Sequence, residues 1–316
     1  MKLPLDGLAA KVIHVTMYTR MLIPVDGSKT AEHVLPYART LARTLEIPVE
    51  LMEVMNIAEV GKHIPIERAS HLDTRLAEVE SRSEQYLHQL AATFPGTAIK
   101  CTVERGRPEE VIIEKAAADK TTLIAMATHG RSGMSRWLLG SIAEKVLRGA
   151  TNPLLLVRAN ETAATEGEAA LRSIIVPLDG SELAECALPT AVKFARILNL
   201  EMILFRAYEL PASAYYGRED YLPDYEELTV RVRDDASVYL DKKIESIKAE
   251  GVGNVSSVLV EGAGPDEIIQ YARKSPDALI TMCTHGWSGV KRWVLGSVTE
   301  KVVRHSGDPV LVVRAS

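Results

Sequence analysis

Two aspartates and two glycine-rich loops hold the residues of this sequence best suited to chemistry. Asp26 and Asp179 each follow a short apolar run and open the tripeptide Asp-Gly-Ser. The loops run from Ala127 to Ser141 and from Cys283 to Ser297, ending in Gly140-Ser141 and Gly296-Ser297 at the head of a helical pattern. A helix starting there directs unpaired N–H groups and the positive end of its dipole outwards, an anion site suited to phosphate. Glycine lets backbone approach such a ligand with no Cβ in the way. A carboxylate facing the site can take a ribose hydroxyl or a base amino group. The loop ends also admit a structural reading, since Ser141-Ile-Ala-Glu144 and Ser297-Val-Thr-Glu300 have the form of capping boxes in which serine caps the helix for its own sake.

Other polar residues carry less. His129 and His285 each sit between a strand and a glycine turn with no recurring carboxylate near them in sequence, and read as hydrogen-bonded loop histidines. Arg131 can reach a phosphate, whereas its counterpart Trp287 cannot. Trp137 and Trp293 read as packing for the loop base, and Met52 and Met55 as core. Cys101, Cys186 and Cys283 are odd in number and lack CxxC or metal-ligand spacing, so they read as reduced cysteines of a cytoplasmic protein.

These residues need elements to place them. Short β-rich runs at 21–25, 49–55, 98–104, 122–127 and 153–158 alternate with helical stretches at Thr30 to Leu45, about Ala69 to Thr93, Pro108 to Ala118 and Ser141 to Gly149. The strand pattern returns at 174–178, 201–207, 255–261, 278–283 and 309–314. Such alternation predicts parallel sheets covered by helices on both faces. In open α/β sheets the ligand crevice lies beyond the carboxyl ends of the strands, where the winding reverses. If the first and fourth strands are neighbours, Asp26 faces the Ala127–Ser141 loop and Asp179 faces the Cys283–Ser297 loop. The stretch from Leu210 to Tyr225, rich in Tyr, Pro and Asp, reads as a surface excursion before a long helix.

The second half repeats the first. Pro24-Val25-Asp26 matches Pro177-Leu178-Asp179, Arg107-Pro108 matches Gly264-Pro265, and the densest match sets 126–146 against 282–302, all about 155 residues apart. The reading is an N-terminal appendage at 1–16, a first domain at 17–158, a small, acidic linker at 159–171 and a second domain at 172–316, each domain burying its own core. A net charge of −5 with scattered basic residues argues against a nucleic-acid footprint. No apolar run approaches the roughly 18 residues of a membrane span, and the first twenty residues lack the long apolar core and small-residue cleavage site expected of a secretory signal.

The spacing Gly130, nine residues, Gly140-Ser141, with its twin Gly286, nine residues, Gly296-Ser297, resembles the universal stress protein signature Gly-x2-Gly-x9-Gly-Ser/Thr. Thr128-His129-Gly130, the Asp-Gly-Ser strand ends and the closing apolar strands are similar to that family as well, and the likeness covers nearly all of 17–316. The resemblance implies two tandem doubly wound α/β domains, each a five-stranded parallel sheet of order 3-2-1-4-5, and, in one branch, bound ATP, ADP or AMP, with or without Mg2+.

Carried over by position, the nucleotide sites take in Pro24, Val25, Asp26, Val54, Ala127, His129, Gly130, Arg131, Gly140 and Ser141 in copy one. In copy two they take in Pro177, Leu178, Asp179, Ala207, Cys283, His285, Gly286, Gly296, Ser297, Val298 and Thr299. The aspartates contact adenine or ribose, backbone near Val54 and Ala207 frames the base, and the glycines and serines hold phosphates. The chain departs from the signature at its first glycine, Ala127 or Cys283 here. Alanine there is tolerated unless the residue needs positive φ, while cysteine adds bulk, for which the Thr299 hydroxyl compensates where copy one has Ala143. The functional expectation is a nucleotide-dependent stress-response module with no catalytic or metal residues; a slow ATPase and a structural protein with empty clefts are the alternatives. The final strands, Leu154 to Val157 and Val310 to Val313, are apolar edges expected to pair the two domains within the chain, a homodimer being left open.

Overall fold

The computed structural model describes residues 17–57, 72–129, 139–159, 165–209, 225–284 and 295–314. The appendage at 1–16, most of the excursion at 210–225, and Gly130, Arg131, Trp137, His285, Gly286, Trp287 and Trp293 lie outside the described residues.

The first copy forms β1 (Arg20–Val25), α1 (Lys29–Glu32), α2 (Leu35–Leu45), β2 (Val49–Met55), α3 (Leu72–Ala91), β3 (Ile99–Arg105), α4 (Pro108–Ala117), β4 (Thr122–Ala127), α5 (Ser141–Gly149) and β5 (Leu154–Val157). The second forms β6 (Ser173–Pro177), α6 (Glu182–Glu185), α7 (Leu188–Leu198), β7 (Glu201–Tyr208), α8 (Tyr225–Ala249), β8 (Val255–Glu261), α9 (Gly264–Lys274), β9 (Ala278–Cys283), α10 (Ser297–His305) and β10 (Val310–Val313). Every strand falls within a residue of its expected bounds.

The single helix expected over Thr30 to Leu45 is in fact two, α1 and α2. Pro36, in the first turn of α2, has no N–H to donate to Glu32 and its ring crowds the preceding turn, so the helix restarts. Pro189 separates α6 from α7 in the same way.

Within each copy the strands are parallel, ordered β3-β2-β1-β4-β5 and β8-β7-β6-β9-β10. The two sets are one ten-stranded sheet, because β10 runs antiparallel to β5 with Leu311 opposite Leu155. The burial of the strands follows from this order. β4, β5, β9 and β10 are buried along their length, whereas the edges β3 and β8 carry Lys100, Glu104, Ser256 and Ser257.

Two separate domain cores were expected, but the apolar interior divides by face of the sheet rather than by copy. One cluster joins Ile23, Leu51, Leu155, Val176, Leu204 and Leu311 under α2, α3, α7 and α8. The other joins Leu22, Met52, Ile124, Leu156, Phe205 and Val312 under α4, α5, α9 and α10. Alternate residues of each strand serve opposite faces, so a continuous sheet makes continuous cores.

Polar contacts add to the junction, among them Arg314 donating to the Leu147 carbonyl and Arg158 donating to the His305 carbonyl at 3.4 Å. Arg148 Nη2 lies 3.2 Å from Glu300 Oε1, and Arg304 Nη2 lies 3.2 Å from Glu144 Oε1, a reciprocal pair between α5 and α10. The acidic segment ahead of β6 is anchored on α2: Arg39 donates to the Thr165 and Gly167 carbonyls at 3.0 and 2.7 Å, and the Thr40 hydroxyl donates to Ala169 at 2.8 Å.

Candidate functional site

Each copy places an Asp-Gly-Ser turn opposite a helix N-terminus. β1 pairs with β4 and β6 with β9, so the ends of these strands face each other across a cleft. Asp26 Oδ1 accepts from the Ser28 amide at 3.0 Å and its hydroxyl at 2.6 Å, and Ser28 Oγ in turn caps α1 by accepting from Ala31 N. Asp179 Oδ1 does the same with Ser181 at 2.9 and 2.6 Å, and Ser181 caps α6. Gly27 and Gly180 make the turn at φ of 79° and 89°, a region costly for other residues. The aspartates are therefore structural turn residues as well as cleft residues.

The opposite wall corrects the capping-box reading. The N-caps are Gly140 and Gly296, with no side-chain cap, and Ser141 and Ser297 are the first residues of their helices. Their glutamates are held in the ion pairs between α5 and α10. Gly140 has an ordinary φ of −59°. Its N–H donates to the Thr128 carbonyl at 2.7 Å, and a Cβ there would lie 3.0 Å from that oxygen. A side chain at this position would press on the Thr128 carbonyl unless the loop end gave by a few tenths of an ångström, so packing favours glycine here before any ligand does. Gly296 repeats the bond, 2.7 Å to Thr284. Ala127 and Cys283 close their strands with no positive φ, so the missing first glycine costs no backbone strain.

In copy two these parts enclose a cavity of about 300 Å³ lined by Pro177, Leu178, Asp179, Ala207, Cys283, Gly296, Ser297, Val298 and Thr299, nine of the positions carried over from the family pattern. The lining also holds Ala184, Phe205, Gly264, Ile268 and Met282, which sequence reasoning passed over. Phe205 was recoverable, since it lies two residues before Ala207 and shares its face of β7; Gly264 stood in the repeat but was read only as a match. In copy one, Pro24, Val25 and Asp26 end β1, Val54 is half-buried on β2, and Ala127, Gly140 and Ser141 stand across from them.

The electrostatics come from few groups. The first turn of α10, which has no side-chain cap, lines the cavity with Ser297, Val298 and Thr299, and Asp179 supplies the charged side chain among the described lining. The Thr299 hydroxyl does not compensate for Cys283: it is buried and donates to the Cys283 carbonyl at 2.8 Å, so its proton is unavailable to a phosphate oxygen. His129 shares Nδ1 with the Thr128 hydroxyl at 3.0 Å, and its Nε2 is buried without a hydrogen-bond partner among the described residues. Burial first, then the Arg158 charge, lowers its pKa, which keeps the ring neutral at pH 7.

Behind each aspartate a tyrosine meets a glutamate. Tyr239 donates to Glu185 at 2.8 Å, and Tyr86 approaches Glu32 at 3.4 Å. Both phenols are pushed far above their ordinary range, by burial first and by the neighbouring carboxylates after it. Copy two adds cations here, with Arg206 stacked 4.9 Å over the Tyr239 ring and Lys243 paired to Glu185 at 2.6 Å. Copy one has Glu53 in the register position of Arg206.

A family model for universal stress proteins matches residues 17–158 and again 170–314. The universal stress protein MJ0531 of Methanocaldococcus jannaschii is 30% identical over 151 residues, 47% of this chain and 85% of that protein. The universal stress protein Rv2005c of Mycobacterium tuberculosis is 23% identical over 310 residues, 94% of this chain and 97% of that protein. The crystal structure of a universal stress protein from Archaeoglobus fulgidus superimposes with a TM-score of 0.65 at 21% identity, covering 94% of this chain and 99% of that one.

Proposed function

Because the chain belongs to the universal stress protein family, we propose that its two clefts bind adenine nucleotides, with ATP, ADP and AMP as the ligand class, and that the protein acts as a nucleotide-dependent regulatory module of the cytoplasm. One observation carries this reading: an uncapped helix N-terminus and a carboxylate face each other across the copy-two cavity. The α10 amides suit phosphate oxygens, which accept hydrogen bonds and favour the positive end of a helix dipole. Asp179 suits ribose hydroxyls or a base amino group, which donate. Phe205, Ala207, Ile268 and Met282 supply apolar surface for a base between them. Gly130, Arg131, His285 and Gly286 belong to the proposed phosphate loops on their sequence positions.

The described lining brings no lysine, arginine or histidine to the phosphate end of copy two. The sequence carries no Walker lysine and no obvious general base, which supports binding over rapid phosphoryl transfer. The antiparallel pairing of β5 with β10 is proposed to hold the two clefts in one rigid unit in solution. The reading is tested by denaturing the purified protein and analysing the released nucleotide, followed by calorimetric titration with ATP. Two sites per chain are expected. Absence of both released nucleotide and binding heat refutes the proposal, and fast phosphate release refutes the non-catalytic role.

A further inference from the structure

In copy two, Cys186 and Cys283 stand on two elements that pack together, the end of α6 and the end of β9. Cys186 closes α6; its thiol lies 3.4 Å from the Glu182 carbonyl and is also within hydrogen-bonding reach of the Cys283 thiol. Cys283 ends β9, is 4% exposed and lines the cavity, while Cys186 is part-exposed. The end of α6 packs on β9, so the contact joins two walls of the cleft. Copy one has His33 and Ala127 at these positions, so the paired thiols belong to one copy.

We propose that Cys186 and Cys283 form a reversible disulfide under hydrogen peroxide and that this bond weakens nucleotide binding in the copy-two cleft. The second half rests on the nucleotide reading above; the first half does not. The Cys186 thiolate attacks one peroxide oxygen, the O–O bond breaks, and the departing hydroxide takes up the thiol proton as water, leaving a sulfenic acid. The Cys283 sulfur then attacks that sulfur, the S–O bond breaks, and hydroxide leaves with the Cys283 proton as a second water. Two thiols are oxidised to one disulfide and one peroxide is reduced to two waters. Covalent bonding brings the sulfurs to about 2 Å, which draws the end of α6 towards the end of β9. Ala184 and Cys283 both line the cavity, so the cleft narrows. Burial, with Cys283 adding to it, holds the Cys186 thiol above its ordinary range, so the reaction calls for sustained peroxide rather than a pulse.

The full chain carrying Asp26→Asn, so that copy two dominates the binding signal, is titrated with ATP before and after peroxide, then alkylated in denaturant and mapped by mass spectrometry. A Cys186–Cys283 linked peptide is expected, two hydrogens lighter than the dithiol and opened by dithiothreitol, with Cys101 alone still alkylated. ATP affinity is expected to fall about fivefold or more on oxidation and to recover on reduction. Cys186→Ser should bind ATP as before and lose both responses. Alkylation of all three cysteines, or a bridge through Cys101, overturns the site. A linked peptide with unchanged ATP affinity overturns its control of the cleft. A linked peptide in a protein that never binds ATP upholds the modification site and refutes the nucleotide reading instead.

Discussion

The two copies share strand order and cleft frame, yet they fill one face of the sheet with opposite chemistry. In copy one, Glu50 is 3% exposed at its side chain, with Arg20 at 2.6 Å, Lys100 at 3.3 Å and Lys115 at 3.4 Å, and it accepts from the Thr102 hydroxyl at 2.9 Å. In copy two the register partners of Glu50 and Thr102 are Ile203 and Val258, part of a hydrocarbon core. One topology thus accepts either a satisfied ion cluster or an apolar filling. The comparison teaches that this face needs volume filled and polar groups paired, whichever kind they are.

The sharpest way to break that comparison is to leave the cluster incomplete. Glu50→Ala should cost about 3–5 kcal/mol, because it strands part-buried cations and opens a void. Glu50→Ile with Thr102→Val, which copies the second half into the first, should stay within about 1 kcal/mol of wild type. Urea unfolding of the three proteins decides, and equal losses for both variants would show that the cluster is indispensable. The pH dependence has a defined sign. Burial raises the Glu50 pKa, but Thr102, Lys115 and Lys100 together outweigh it and hold the carboxylate below its ordinary range. Its contribution is therefore present above the unfolded value, about 4.3, and lost as pH falls through the folded one. The Glu50→Ile, Thr102→Val protein should show the shallower loss of stability below that pH.

The clefts should respond alike where their geometry is alike. Asp26→Asn and Asp179→Asn keep the Oδ1 acceptor of the turn and remove the charge, so each should weaken ATP at its own site by about 1.5–3 kcal/mol, tenfold or more, and leave the other unchanged. Calorimetric titration reads both sites, and crossed effects would show that the clefts are coupled. Asparagine sharpens this test because alanine would also release Ser28 or Ser181.

Gly140→Ala should cost about 1–3 kcal/mol by pressing its Cβ on the Thr128 carbonyl, 3.0 Å away. Gly296→Ala should match it, since its N–H makes the same 2.7 Å bond to Thr284. Melting temperatures without nucleotide make the comparison; a neutral Gly140→Ala would mean the glycine serves the ligand alone. The smallest effect belongs to the junction. Arg148→Ala and Arg304→Ala should each cost at most about 1 kcal/mol, with Arg304 the larger because its side chain is 19% exposed against 42% for Arg148. Identical, zero effects in urea unfolding would show that the α5–α10 ion pairs add nothing to the junction.

The sequence by itself determined the strands, the turns after β1 and β6 and the helix starts that end the two loops, while the strand order and the full set of lining positions came from the likeness to universal stress proteins. The strands, turns and helix starts follow from short-range rules: apolar alternation, the positive φ of Gly27 and Gly180, and a helix that begins where the Gly-Ser pair ends the loop. Pro36 was equally legible, yet its break in the helix was missed because the apolar pattern continues across it. Only the tertiary structure decided which atom each polar group meets. Ser141 and Glu144 fit a capping box in sequence, but the helix begins one residue earlier in its frame, and Arg304, 160 positions later in the chain, claims the glutamate. Thr299 turns its proton to Cys283, and a Cβ on Gly140 would lie 3.0 Å from the Thr128 carbonyl oxygen. Partners so distant in the chain leave no periodicity and no local spacing, and the pairing of their donors and acceptors is settled only when the sheet brings them within 3 Å or so of each other.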